Sequence, residues 1–261
     1  VNILFIGDIF GRVGRDMIDQ HLQDIKKKYE VDFVIANGEN TTHGKGLSKE
    51  HYDELLNLGI NCITMGNHTF DQHKIVDWMD DANFLVRPAN LPKYAPGKGT
   101  RVFDVKGTKI QVTNILGRVF YPGIVNHPVE VMEGIVQESS ADIHFVDIHA
   151  DATAEKICFG YEFDGQISAL VGTHTHVQTA DDRLLDNGTA YLTDVGMCGP
   201  YNQAIGMDKK NVTWKMKTGL PARFEAGEGP GQLCAVVIRF ENNKAKSMQR
   251  IMMTPDNNYQ F

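Results

Sequence analysis

Ser168-Ala169-Leu170-Val171-Gly172-Thr173-His174-Thr175-His176 runs from an apolar stretch through a glycine into a pair of histidines. Four earlier stretches are built the same way. Ile3-Leu4-Phe5-Ile6 ends in Gly7-Asp8, and Phe33-Val34-Ile35-Ala36 ends in Asn37-Gly38-Glu39-Asn40. Cys62-Ile63-Thr64-Met65 ends in Gly66-Asn67-His68, and Ile143-His144-Phe145-Val146-Asp147-Ile148 delivers His149. Short apolar runs bounded by glycine and polar residues read as strands buried on both faces, although periodicity alone also admits buried helix. Their carboxyl ends are then expected along one edge of the sheet.

One aspartate at a strand end is usually a turn or cap residue, and one His-x-His arises by chance. Seven donors of metal-ligand type at five strand ends, namely Asp8, Glu39, Asn40, Asn67, His149, His174 and His176, are harder to dismiss and point to a metal centre. If the last strand continues through them, alternation puts His174 and His176 on the same side. Carboxylate, carboxamide oxygen and imidazole nitrogen together suit iron, manganese or zinc, and no thiolate stands among them to select copper or a closed structural zinc.

Between these runs the period changes. Residues 14 to 29 place Met17, Ile18, His21, Leu22 and Ile25 at helical spacing, with Lys26 to Lys28 near the end, where cations suit the helix dipole. Ser48 reads as the start of a second helix that Gly59 stops, and 71 to 79 as a third. Residues 101–105 and 110–116 form one expected hairpin, and 233–240 with 245–252, joined through Glu241-Asn242-Asn243-Lys244, a second. Helix-linked strands followed by hairpins imply either one mixed sheet or two stacked sheets covered by helices.

With 261 residues and 42% hydrophobic content the chain can bury a large core as one α/β domain, with no evident linker or repeat. A net charge of -7 gives no general attraction to nucleic acid. The four cysteines lie far apart without a C-x-x-C pair and read as reduced core residues. There is no run of about 18 apolar residues to cross a membrane, and the first residues read as a strand rather than a secretion signal, so the cytoplasm is the expected compartment. His43-Gly44-Lys45-Gly46 lacks the P-loop spacing and reads as a turn. His21, His51, His73 and His127 read as surface or packing residues, and His144 as a hydrogen-bonded core histidine. Asp181 and Asp182 are either turn residues or orienters of an imidazole.

Gly7-Asp8, Asn37-Gly38-Glu39-Asn40, Gly66-Asn67-His68, His149 and Gly172 to His176 together resemble the ordered motif blocks of the calcineurin-like metallophosphoesterases. The strings Asn67-His68-Thr69-Phe70-Asp71, Arg87-Pro88-Ala89-Asn90, Thr173 to Asp181 and Thr193-Asp194-Val195-Gly196-Met197 are similar to the bacterial YmdB-type branch, over essentially the whole chain. The resemblance implies a single domain over 1–261, two stacked mixed β-sheets flanked by helices in a four-layer sandwich, and cyclic-nucleotide phosphodiesterase activity. It also implies the sites: Asp8, Glu39, Asn40 and His176 around one metal, and Glu39, Asn67, His149 and His174 around another, with Glu39 bridging. His68 stays outside the metal shell as the general acid. The wider superfamily has Asp-x-His in its first block and an aspartate as bridge; here Phe10 stands in the third position, Glu39 is the bridge, and Asn40 supplies the missing neutral ligand.

Such a centre would hold two transition ions, with iron and manganese expected and zinc an alternative, and a small-molecule phosphodiester as substrate. Ions about 3.5–4 Å apart can hold a water as hydroxide for in-line attack. Phosphomonoesters and RNA are the alternative substrates, although the charge gives RNA no support, and homo-oligomers remain open. A non-catalytic scaffold would be expected to have lost ligands, whereas each position here carries a competent donor. A metal-dependent amidohydrolase would place its His-x-His on the first strand rather than late. Arg118, Lys45 and Tyr121 are candidates for substrate contact.

Overall fold

The computed structural model describes residues 1–223 and 225–260. In chain order the first half contains β1 (Asn2–Ile6), β2 (Asp8–Ile9), α1 (Gly11–Lys28), β3 (Phe33–Asn37), α2 (Lys49–Leu58), β4 (Cys62–Thr64), β5 (Leu85–Val86), β6 (Thr100–Val105) and β7 (Thr108–Leu116). The second half adds α3 (Pro128–Glu138), β8 (Ile143–His149), α4 (Thr153–Glu162), β9 (Ala169–Thr173), β10 (Arg183–Leu184), β11 (Ala190–Leu192), β12 (Met197–Pro200), α5 (Lys209–Thr218), β13 (Gly231–Glu241) and β14 (Lys244–Met253). One sheet has the order β2-β12-β13-β1-β3-β4-β5, with β14 on β13; the other has the order β10-β11-β9-β8-β7-β6. Both mix parallel and antiparallel pairs.

The apolar runs are buried on both faces because each sheet is covered twice. Along β1, Ile3 and Phe5 face the second sheet in a core shared with Ile143, Phe145, Ala169 and Val171, while Leu4 and Ile6 pack with Met17, Ile18, Leu22 and Leu55 of α1 and α2. Phe5 stacks on Phe145 across the sandwich at 5.5 Å. On the far side Val146, Ile148 and Leu170 pack with Met132 of α3 and Phe159 of α4. Helices, sheet, sheet and helices make the four layers, and burial of these runs on both sides is the main source of stability.

Ser48 caps α2 by accepting from the His51 amide at 3.2 Å, and Gly59 ends it in the left-handed region at φ 105°. The second hairpin turns on Asn242 and Asn243, both at positive φ as a two-residue primed turn requires. The first helix begins at Gly11, earlier than its apolar pattern, and packs its first turn on β12, where a Cβ on Gly14 would stand 2.3 Å from the Cys198 carbonyl oxygen. The expected third helix over 71–79 is instead two 3-10 segments, His73–Asp77 and Met79–Asp81, broken at Trp78 where its ring packs on Tyr52. Cys62, Cys198 and Cys234 are core residues as read, but Cys158 is exposed on α4. No helix among the described residues is long and apolar enough to cross a membrane.

Candidate metal centre

Strands β1, β3 and β4 run parallel in one sheet, and β7, β8 and β9 run parallel in the other. The donors therefore come from the ends of two sheets meeting at one end of the sandwich, not from one edge of a single sheet. Among the described residues, atoms of Glu39, His149 and His174 all lie within 4.8 Å of one another. His149 Nε2 is 2.9 Å from Glu39 Oε1, 2.9 Å from Asn67 Oδ1 and 3.0 Å from His174 Nδ1. At the other end of the cluster His176 Nε2 is 3.2 Å from Asn40 Oδ1 and 3.8 Å from Asp8 Oδ1.

The paired histidines do not continue the strand. β9 stops at Thr173, and His174 and His176 both lie at positive φ, 103° and 64°, a conformation that non-glycine residues seldom adopt. This left-handed loop sends one imidazole toward each end of the cluster, which simple alternation would not do. Buried Lys156 secures the loop by donating to the Thr173 carbonyl at 2.9 Å and to Asp194 Oδ2 at 2.8 Å. Asp194 in turn accepts from the Thr175 and Gly196 amides.

Hydrogen bonds fix which atoms face inward. Thr173 Oγ1 donates to Asp147 Oδ1 and so accepts from His149 Nδ1–H, which leaves the His149 Nε2 lone pair facing the cluster in the neutral ring. His176 Nδ1–H donates to the Ile205 carbonyl, and Asn40 Nδ2 donates to the Gly44 carbonyl, so His176 Nε2 and Asn40 Oδ1 face each other as two acceptors. Asp8 Oδ1 is buried without a hydrogen-bond partner. A buried pocket of lone pairs short of protons is unfavourable alone and is what a bound cation satisfies. The residues fit metal ions.

Without an ion, a proton takes part of that place. Burial opposes charge on His149, yet Glu39, and then Asp8 and Asp147, raise its pKa to about 9. Burial also opposes charge on Glu39, but His149 and then the His68 side lower it to about 2. Burial, and then the His149 charge, lower His174 to about 4. In the metal-free protein the raised His149 pKa favours the folded state fully below its ordinary value of 6.5, and this contribution is lost as pH rises through about 9. Ligation needs the same lone pair, so metal uptake at pH 7.5 should release about one proton from His149, and apparent affinity should rise with pH. Calorimetric titration in buffers of different ionisation enthalpy measures this release; an uptake independent of buffer would contradict it.

Phe10 lies edge-on to His176 at 5.7 Å and is packed against Gly44 and Gly206, where an added Cβ would come within 2.7 Å and 2.6 Å of its ring. It fills space beside the donors and offers them no lone pair. Asn40→Ala should therefore weaken metal retention by about tenfold or more, whereas Phe10→Ala should lower stability and largely keep the metals. Metal content and thermal unfolding of the two variants separate these outcomes, and unchanged metal content in Asn40→Ala would remove it from the donor set.

His68 lies beside the cluster: its amide donates to Glu39 Oε2 at 2.8 Å, and its Nδ1 is 2.7 Å from Asp71 Oδ2. It lines a cavity of about 330 Å3 together with Asn67, His149, His174 and Tyr121. Of the other candidates for substrate contact, Arg118 lines an adjoining cavity and Lys45 is exposed on the turn at 43–46. Asp181 accepts from Thr179 and Thr193, and Asp182 pairs with Arg250, so neither orients an imidazole. His144 bonds Thr113 in the core as read. The sequence reading missed the support beneath the donors. Asp147 takes hydrogen bonds from Thr64, Thr173 and Asn37, and burial raises its pKa to about 6. A carboxylate in the middle of an apolar strand was the signal for it, as a lysine in the buried face of α4 was for Lys156.

A family model described as YmdB-like protein matches residues 4–251. The chain is 46% identical over 259 residues, 98% of each protein, to a Bacillus subtilis (strain 168) protein named 2′,3′-cyclic-nucleotide 2′-phosphodiesterase. A crystal structure of a novel phosphatase from Mycoplasma pneumoniae superposes with a TM-score of 0.93 at 38% identity, covering 97% of this chain and 93% of that one. A Staphylococcus aureus structure described as a 5′-nucleotidase gives a TM-score of 0.64 at 14% identity, over 100% of this chain and 56% of that one, a likeness of fold alone.

Proposed function

From the premise that the chain belongs to the YmdB-like family, a family of phosphoric ester hydrolases, we propose that it is a dinuclear metal phosphodiesterase acting on cyclic nucleotides, 2′,3′-cyclic nucleotides foremost. Asp8, Glu39, Asn40 and His176 would hold one ion and Glu39, Asn67, His149 and His174 the other; the all-nitrogen-and-oxygen donor set suits iron, manganese or zinc, with iron and manganese our expectation. When bound, such ions supply Lewis-acid charge to the phosphoryl group and a nucleophile from water at neutral pH. The observation that carries this reading is the inward convergence of lone pairs around His149 Nε2 and His176 Nε2, with Asp8 Oδ1 unpartnered.

The chain's residues then act by position and charge. Asp8 and Glu39 are the two carboxylates of the donor set, so two divalent ions would leave about two positive charges, suited to a phosphodiester anion. Thr173 and the Ile205 carbonyl hold His149 and His176 in the ring orientation that keeps Nε2 inward. Asp71 anchors the His68 ring through Nδ1 and leaves Nε2 to give a proton to the departing oxygen.

A screen of the metal-loaded protein against 2′,3′- and 3′,5′-cyclic nucleotides, phosphomonoesters and short RNA tests the proposal. We expect the highest kcat/KM on 2′,3′-cyclic nucleotides. Phosphomonoesters belong in the screen because the Mycoplasma pneumoniae structure is described as a phosphatase. Preference for them, or for RNA, would displace the cyclic-nucleotide reading.

A further inference from the structure

The cavity beside His68 has one wall of polar donors and one of apolar residues from the end of β7 and the segment after it, namely Leu116, Val119, Phe120, Tyr121 and Pro122. At the tip Phe120 is 81% exposed and at positive φ, 64°, which for a bulky residue is an outlier. An aromatic ring held in a disfavoured backbone conformation and left in solvent contributes little to the core, and such outliers gather at ligand sites. Tyr121 folds back over Gly123, so closely that a Cβ on that glycine would stand 2.4 Å from the phenol oxygen.

The wall is tied to the donor set. Gly117 N donates to the His149 carbonyl at 2.9 Å, and Glu155 accepts from the Arg118 and Val119 amides at 2.7 Å and 3.3 Å. The segment that carries the two rings is therefore tied to His149 by the backbone and to α4 by the Glu155 carboxylate. The charged groups of the lining are Asp71 and Asp151, with the histidines His68, His149 and His174; the lining contains no arginine or lysine among the described residues. Any phosphate beyond the one held by the donor set would face carboxylates without a cation to receive it.

We propose that Phe120 and Tyr121 form a nucleobase platform, so that the site takes a cyclic mononucleotide with a single negative charge by stacking its base on this wall while the donor set receives its phosphate. The inference rests on the phosphodiesterase reading above. The aromatic wall stacks on the base face, which every base shares, so the four 2′,3′-cyclic nucleotides should be used within about tenfold of one another.

The test compares kcat/KM for adenosine 2′,3′-cyclic phosphate with that for glycerol 1,2-cyclic phosphate, which has no base, in metal-loaded wild type, Phe120→Ala and Tyr121→Ala. The wild type should prefer the nucleotide, and that preference should fall about tenfold in at least one variant. A wild type without the preference, or variants that keep it, would overturn the platform and leave the hydrolase reading standing. Hydrolysis of neither compound would instead overturn the phosphodiesterase reading. Saturation-transfer NMR with adenosine then decides the platform alone: transfer to the base protons that is lost in the variants supports it, and absent or unchanged transfer overturns it.

Discussion

His68→Ala is expected to keep its metals and to lose about 10²–10⁴-fold of its activity on cyclic nucleotides, the usual contribution of general acid catalysis. Its backbone amide donates to Glu39 Oε2, and Asp71 holds its Nδ1 at 2.7 Å. A ribose hydroxyl is a poor leaving group unless protonated, whereas nitrophenolate departs readily as the anion. The same variant should therefore lose much less activity on bis(p-nitrophenyl) phosphate. Equal losses on both substrates with intact metal content would defeat the general-acid role. Loss of metal would place His68 among the ligands.

Lys156→Met should destabilise the fold by about 3–5 kcal/mol, the cost of leaving one member of a buried ion pair without the other. Lys156 and Asp194 are both fully buried, and the lysine also donates to Thr173, the residue at which β9 gives way to the left-handed histidine loop. Asp194 keeps the Thr175 and Gly196 amides in the variant, but its charge loses the cation. Urea unfolding measures the loss, and a double variant with Asp194→Asn, which removes the unpaired charge and keeps an acceptor oxygen, should recover part of it. A single-variant loss under about 1 kcal/mol would show that the pair does little for the loop.

The layered architecture was readable because the physics is local and repeated. Ile3 to Ile6 and Phe33 to Ala36 are apolar on both sides, which requires both faces to be covered, and the cap at Ser48 and stop at Gly59 act within one turn. The division of strands between two sheets was left open, since it depends on pairings such as β1 with β13, more than two hundred residues apart, that no local pattern encodes. Helices α3 and α4 carry little apolar periodicity because each buries only a narrow stripe, and α5 buries none. The third expected helix failed at Trp78, where packing on Tyr52 outweighed local spacing.

At the site, the donors could be named from strand ends, but their geometry could not. His174 and His176 share the spacing of a strand yet are carried by left-handed backbone, a conformation imposed by the Lys156 and Asp194 contacts rather than by their own residue types. Thr173 acts beneath the donors one hydrogen bond removed, with Asp147 a second bond behind it, and so both stand outside any motif of ligand types.

In the proposed centre two overlapping donor sets share Glu39. Elemental analysis of the reconstituted wild type beside Glu39→Ala tests it most directly. About two ions per chain are expected in the wild type, with the Glu39→Ala variant losing metal and cyclic-nucleotide hydrolysis together. A wild type that stays near one ion per chain after reconstitution, or a Glu39→Ala variant that keeps the full complement, would contradict it.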